Sequence, residues 1–67
     1  MKVKITEVAI IQRTRIVELE TDEVFNHKVY DMDEGDHPQL DVITRLVNEQ
    51  HSTKNDICDQ VIKAEIL

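Results

Sequence analysis

Period two governs the first third of the chain. Val3, Ile5, Ala9, Ile11, Val17 and Leu19 share one parity, and Lys2, Lys4, Thr6, Glu18 and Glu20 share the other. Alternation of this kind, rich in β-branched residues, predicts strand. The stretch from Val3 to Thr21 is too long for one strand, and its apolar residues stop at 12–14, where Arg13 and Arg15 enter. The pattern therefore predicts a hairpin of about 3–11 with 15–21, although no Asn-Gly or glycine marks its turn. Val8, Ile10 and Ile16 carry the opposite parity, which leaves apolar side chains on both faces near the turn. Helices of the chain can cover one face. The other calls for a bulge at Thr6–Val8 that flips the phase, a partner, or a second copy docked on Val8, Ile10 and Ile16.

The period then lengthens. Thr21 and Asp22 suit a helix N-cap, with Asp22 and Glu23 favourable at the positive end of the dipole. Val24, Phe25, Val29 and Met32 form one helical stripe, so a helix is predicted over about 23–33, stopping at Gly35. Pro38 opens a second helix, with Asp36 near its N-cap. Leu40, Ile43, Leu46 and Val47 form its apolar stripe, while Asp41, Arg45 and Glu49 face out and Asp41 and Arg45 make an i,i+4 pair. Residues 51–56 (HSTKND) read as a turn. The tail is readable in two ways: as a helix with Ile57, Val61 and Ala64 on one stripe, or as a strand with Ile62, Ala64 and Ile66 alternating against Lys63 and Glu65. The strand is preferred, because a lone hairpin is marginal in water and a third strand completes a sheet for the helices. The expected fold is a single α+β domain over residues 1–67, in the order β-β-α-α-β. It has a three-stranded antiparallel sheet packed by two helices; the alternative is a β-hairpin with three helices.

At 67 residues the chain buries only about 60% of its unfolded surface. Cys58 is the only cysteine, which excludes an internal disulfide and suits a small core residue better than a nucleophile. Lys2 and Lys4 interrupt the early apolar run, so no signal peptide is read. No apolar stretch approaches the roughly 20 residues of a membrane span. The expected setting is soluble, reducing and cytoplasmic.

Charge adds the strongest functional cue. The net charge is −6. Residues 1–17 set Lys2, Lys4, Arg13 and Arg15 against Glu7, a surplus of +3. Residues 18–41 set Glu18, Glu20, Asp22, Glu23, Asp31, Asp33, Glu34, Asp36 and Asp41 against Lys28, a deficit of −8. Such a block repels nucleic-acid phosphates and attracts basic surfaces.

The opening KVKITE, followed by RIVELETDE, resembles the DpnD/PcfM group of small phage and mobile-element proteins, in which an alternating Val-Glu strand precedes an acidic helix start. The likeness covers about the first half of the chain. It departs in a longer hairpin and an extra helix around Leu40 to Glu49. The resemblance implies a phage or mobile-element origin, and thus a host cytoplasm, but no defined activity and no site residues.

DMDEGDH, residues 31–37, invites a calcium-loop reading. That loop needs oxygen ligands at positions 1, 3 and 5, glycine at 6 and glutamate at 12. Starting at Asp31 puts Gly35 at position 5 and Val42 at 12; starting at Tyr30 loses the first ligands. His27, His37 and His51 with Cys58 lack the short spacings of a zinc motif. No cofactor is therefore expected. Paired-acid catalysis needs a cleft that a chain with two aromatics hardly encloses, Ser52 beside His51 is a turn dipeptide, and one glycine makes no phosphate loop. No enzymatic activity is expected. Direct nucleic-acid binding lacks a stacking platform, since Phe25 and Tyr30 both fall in the first predicted helix. The remaining expectation is a small acidic protein-binding module, of the anti-CRISPR or anti-host inhibitor type. Its carboxylates at Glu18, Glu20, Asp22, Glu23, Asp31, Asp33, Glu34 and Asp36 imitate a phosphate backbone and dock on the basic surface of a nucleic-acid-handling protein. The alternative is a homodimeric assembly module built on Val8, Ile10 and Ile16.

Overall fold

The computed structural model describes residues 1–35, 37–52 and 57–67. Its elements are β1 (Lys2–Val8), β2 (Gln12–Glu18), β3 (Val29–Asp31), a 3₁₀ turn (Met32–Glu34), α1 (Pro38–His51) and β4 (Gln60–Ile66). The strands form one antiparallel sheet in the order β2-β1-β4-β3. The fold is thus α+β, with four strands and one helix where the pattern predicted three and two. The last strand does add to the hairpin, but β3 covers its other side, so the C-terminal strand is central.

The hairpin turns at Ala9–Ile11, earlier than expected, and closes with Val8 opposite Gln12. The apolar pair Ile10–Ile11, read as strand from composition, is left at the tip in solvent. This register sets Glu7 opposite Arg13 and Val3 opposite Val17.

The predicted helix over 23–33 is absent, and α1 itself shows why. Near its C-terminus the Gln50 carboxamide accepts from Glu20 N–H (2.9 Å) and donates to Glu20 C=O (2.7 Å). Near its N-terminus Gln39 Nε2 donates to Val24 C=O (2.7 Å) and Oε1 accepts from Asn26 N–H (3.5 Å). Residues 39 and 50 lie about 16 Å apart along a helix. The six steps from Glu20 to Asn26 would span only about 9 Å as helix and about 20 Å extended. Only a nearly extended chain bridges the two clamps. The expected stripe dissolves accordingly: Val24, Val29 and Met32 are exposed, Phe25 packs on the core rim, and Tyr30 is buried on β3. Gly35 ends the 3₁₀ turn rather than an α-helix, at φ 141°, a value side chains rarely adopt.

The second helix forms as its stripe predicts, with Pro38 in its first turn and Leu40, Ile43, Leu46 and Val47 buried. Its N-cap residue is His37; Asp36, expected there, lies outside the described residues, as do Thr53–Asp56 of the expected turn. Asp41, Arg45 and Glu49 face out, but the i,i+4 ion pair joins Arg45 to Glu49 (3.9 Å) rather than to Asp41. The helix lies over β4, and the core closes between it, Val3 and Ile5 of β1, Val17 of β2, Leu19, Tyr30 of β3, Cys58, and Val61 and Ala64 of β4.

A bulge does occur beside Thr6 and Glu7, but its extra residue is on β4. Thr6 faces Lys63 and Glu7 faces Val61, which leaves Ile62 unmatched. The phase of β1 runs unbroken through Val3, Ile5 and Glu7. The inward residues of β4 are therefore Val61 and Ala64, not Ile62. The displaced Val61 N–H donates to Thr44 Oγ1 (2.9 Å), whose own hydroxyl donates to Leu40 C=O (2.9 Å). Thr44→Val keeps the side-chain shape but strands a buried N–H. It is expected to cost about 1–3 kcal/mol in urea denaturation, and Thr44→Ser should restore most of it.

Candidate functional site

The fold spreads the acidic block over both edges of the sheet and over the segment beside α1. Glu18 ends β2, and its exposed carboxylate accepts a hydrogen bond from the Met1 ammonium (2.8 Å), which holds its pKa below the ordinary value. Glu20, Asp22 and Glu23 lie on the extended segment that runs beside α1. Asp31 ends β3, where its carboxylate accepts from Asp33 N–H (3.0 Å) and starts the 3₁₀ turn that carries Asp33 and Glu34. Asp36 lies outside the described residues. Glu18 and Asp31 thus occupy opposite edges of the sheet, whose outer strands lie three strand spacings or about 14 Å apart. α1 adds exposed Asp41 and Glu49. Among the described residues no ion pair engages Glu20, Asp22, Glu23, Asp33 or Glu34. The other face of the sheet carries Lys2, Lys4 and Lys63 with Glu65, around threonines Thr6 and Thr14 whose hydroxyls meet at 3.2 Å. Glu18, opposite Lys2, and Asp31, opposite Lys63, lie on this same outer face, so it carries both signs of charge.

Val8, Ile10 and Ile16 are scattered by the register. Ile10 stands at the hairpin tip, 90% exposed, and Ile16 is 58% exposed on the outer face, in a row with Lys4 and Glu65. Val8 is half-buried in a row with Gln12 and Gln60, and the Thr6–Thr14 row separates it from Ile16.

A second cluster escaped the sequence reading. Glu7 is fully buried at 0% exposure. Arg13 Nε donates to its Oε1 (2.8 Å), Arg15 Nη2 donates to its Oε2 (3.3 Å), and the Cys58 thiol donates to it as well. Burial alone would raise the Glu7 pKa; the hydrogen bonds from Arg13, Arg15 and Cys58 outweigh it and hold the carboxyl below its ordinary value. Burial and the adjoining carboxylate push the Cys58 thiol up to about 12, so Cys58 is a poor nucleophile. Asn48 fixes it in place, Oδ1 accepting from Cys58 N–H (2.9 Å) and Nδ2 donating to its C=O (2.8 Å). The signal was parity: Glu7 continues the inward series of Val3 and Ile5, and Arg13 and Arg15 continue that of Val17.

A third grouping surrounds Tyr30. Its hydroxyl donates to Gln39 Oε1 (2.5 Å) and accepts from His27 N–H (2.9 Å). The rings of His27 and His37 stand edge-on to Tyr30, with centroids 5.5 and 5.7 Å from it and 6.3 Å from each other. They flank an open depression of about 390 Å³, also lined by Asn26, Pro38 and Gln39. The spacing of these histidines along the chain concealed their meeting. His51 lies elsewhere, with its Nε2 against Glu18 C=O. Among the described residues no three histidine, cysteine or acidic side chains converge as metal ligands, and no helix is long and apolar enough to cross a membrane.

Compared with protein-family models, characterised proteins and solved structures, the chain finds no match.

Proposed function

We propose that this protein is a small acidic binding module that works without catalysis. It acts as an inhibitor whose carboxylates occupy the basic groove of a nucleic-acid-handling protein, such as a CRISPR effector, nuclease or polymerase. One observation carries the reading. Glu20, Asp22, Glu23, Asp33 and Glu34 are exposed without an ion pair among the described residues. Their charge is therefore available to a partner, at the full strength that an internal cation would have reduced. A rigid frame holds part of this array: Gln50 and Gln39 clamp the Glu20–Glu23 segment to α1. A phage or mobile-element source, as the likeness to the DpnD/PcfM group implies, would put its target in the host cytoplasm.

Immobilised protein should capture basic host proteins that duplex DNA displaces, with retention falling at least about tenfold between roughly 50 and 200 mM salt. The quadruple variant Asp22→Lys, Glu23→Lys, Asp33→Lys, Glu34→Lys should capture none of them. Undiminished capture and inhibition by that variant would remove the reading.

A further inference from the structure

β2 is an outer strand of the sheet, and among the described residues no strand pairs with its second edge. Antiparallel pairs alternate between hydrogen-bonded and non-bonded positions. Leu19 N–H donates to Met1 C=O (2.7 Å), so the odd-numbered residues of β2 make the bonds to β1. The N–H and C=O groups of Gln12, Thr14, Ile16 and Glu18 then point away from β1. Glu18 bears this out, because its carbonyl meets His51 Nε2 on that side. Gln12, Thr14 and Ile16 offer three successive main-chain donor–acceptor pairs on a straight strand of seven residues. The opposite edge, β3, has only three residues and breaks into a 3₁₀ turn.

The side chains beside this edge select its occupant. Arg15 stands at mid-strand on the inner face, 27% exposed. Its Nε is ion-paired to Glu7 Oε1 (2.5 Å), and the guanidinium keeps partial access to solvent. Arg13, 33% exposed, is its neighbour on the same face. Ile16 flanks the edge on the outer face. A strand laid on β2 would bring an inner-face residue within about 5 Å of Arg15, where a carboxylate is favoured and a cation repelled. A second copy is disfavoured, since an antiparallel β2–β2 pair with full overlap sets Arg15 opposite itself.

We propose that the β2 edge accepts an extended segment of a partner protein as a fifth strand, with acidic residues at alternate positions facing Arg13 and Arg15. Main-chain bonds to Gln12, Thr14 and Ile16 supply the affinity, and the arginines set the phase and the charge preference. This surface is separate from Glu20, Asp22, Glu23, Asp33 and Glu34, so either reading can fail alone.

The test uses two capped seven-residue peptides, one alternating glutamate with threonine and one alternating lysine with threonine. Each is titrated into the ¹⁵N-labelled full chain. The acidic peptide should shift the amides of residues 12–18 and slow exchange at Gln12, Thr14 and Ile16; the lysine peptide should do neither. Thr14→Pro removes an outward N–H without touching the β1 ladder and should weaken binding about tenfold. If its spectrum departs from the wild-type fold, Ile16→Pro replaces it, for the same reason. The proposal is overturned if no amide of residues 12–18 responds at about 2 mM peptide. Equal binding of the two peptides, or wild-type binding by the folded proline variant, overturns it as well.

Discussion

Glu7→Ala is expected to lower stability by about 2–4 kcal/mol and Tm by roughly 10–25 °C. The carboxylate is wholly buried and holds two guanidiniums that are each about one-third exposed. Removing it leaves both cations against the core. Their access to water places the cost toward the lower end of that for breaking a buried pair. A domain of this size has only about 3–10 kcal/mol in total, so the variant sits close to unfolding. Replacing all three charges together, as Glu7→Leu, Arg13→Thr, Arg15→Val, should recover much of the loss, because it removes the buried charge rather than orphaning it.

Acidification provides a second reading of the same site. The folded-state pKa of Glu7 lies below its ordinary value of 4.5, so the unfolded chain takes up the proton more readily. The contribution of Glu7 is complete above about pH 4.5 and is lost as pH falls through the folded value. Urea denaturation of wild type against Glu7→Gln across this window should show a steeper decline for wild type. Parallel profiles would mean that the carboxylate gains nothing from its arginines.

Tyr30 has an expected effect at least as large. It fills the junction of β3, α1 and the extended segment, fully buried. Tyr30→Ala should cost about 3–5 kcal/mol. Tyr30→Phe keeps the ring but leaves Gln39 Oε1 without its donor and His27 N–H without its acceptor, for about 1–3 kcal/mol. Amide exchange distinguishes the two. The phenylalanine variant should accelerate exchange chiefly in residues 26–31, and the alanine variant should release β3 and speed exchange along β4. A Tyr30→Phe protein as stable as wild type would show that the hydroxyl bonds only replace bonds to water.

Legibility followed the range of the forces involved. Leu40, Ile43, Leu46 and Val47 announce α1, because their spacing is that of a single buried helix face, and Pro38 fixes where it begins. Lys2–Val8 announces a strand in the same way, whereas Gln60–Ile66 was readable as helix or strand, and the bulge at Ile62 breaks its alternation. The stretch from Leu19 to Asp31 misled. Val24, Phe25, Val29 and Met32 carry a helical period, but Gln50 and Gln39 hold Glu20 and Asn26 farther apart than a helix through them could reach. A carboxamide that clamps a distant main chain leaves no local trace.

The functional features divide along the same line. That the chain carries a concentrated negative segment, and no spacing of the catalytic or calcium-loop kind, is determined by the residues alone, because charge and ligand order are properties of the sequence. Which acids lie where was decided by the sheet order and register, which set Glu18 and Asp31 on opposite edges and on the same outer face as Lys2, Lys4 and Lys63. The Glu7–Arg13–Arg15 cluster needed both levels. Parity places all three on the inner face, but burial depends on the bulge at Ile62 and on Cys58, which is brought in by Asn48. Only the packed structure creates the low-dielectric surroundings in which a buried carboxylate requires two arginines, and only strand order leaves both arginines on an outer strand.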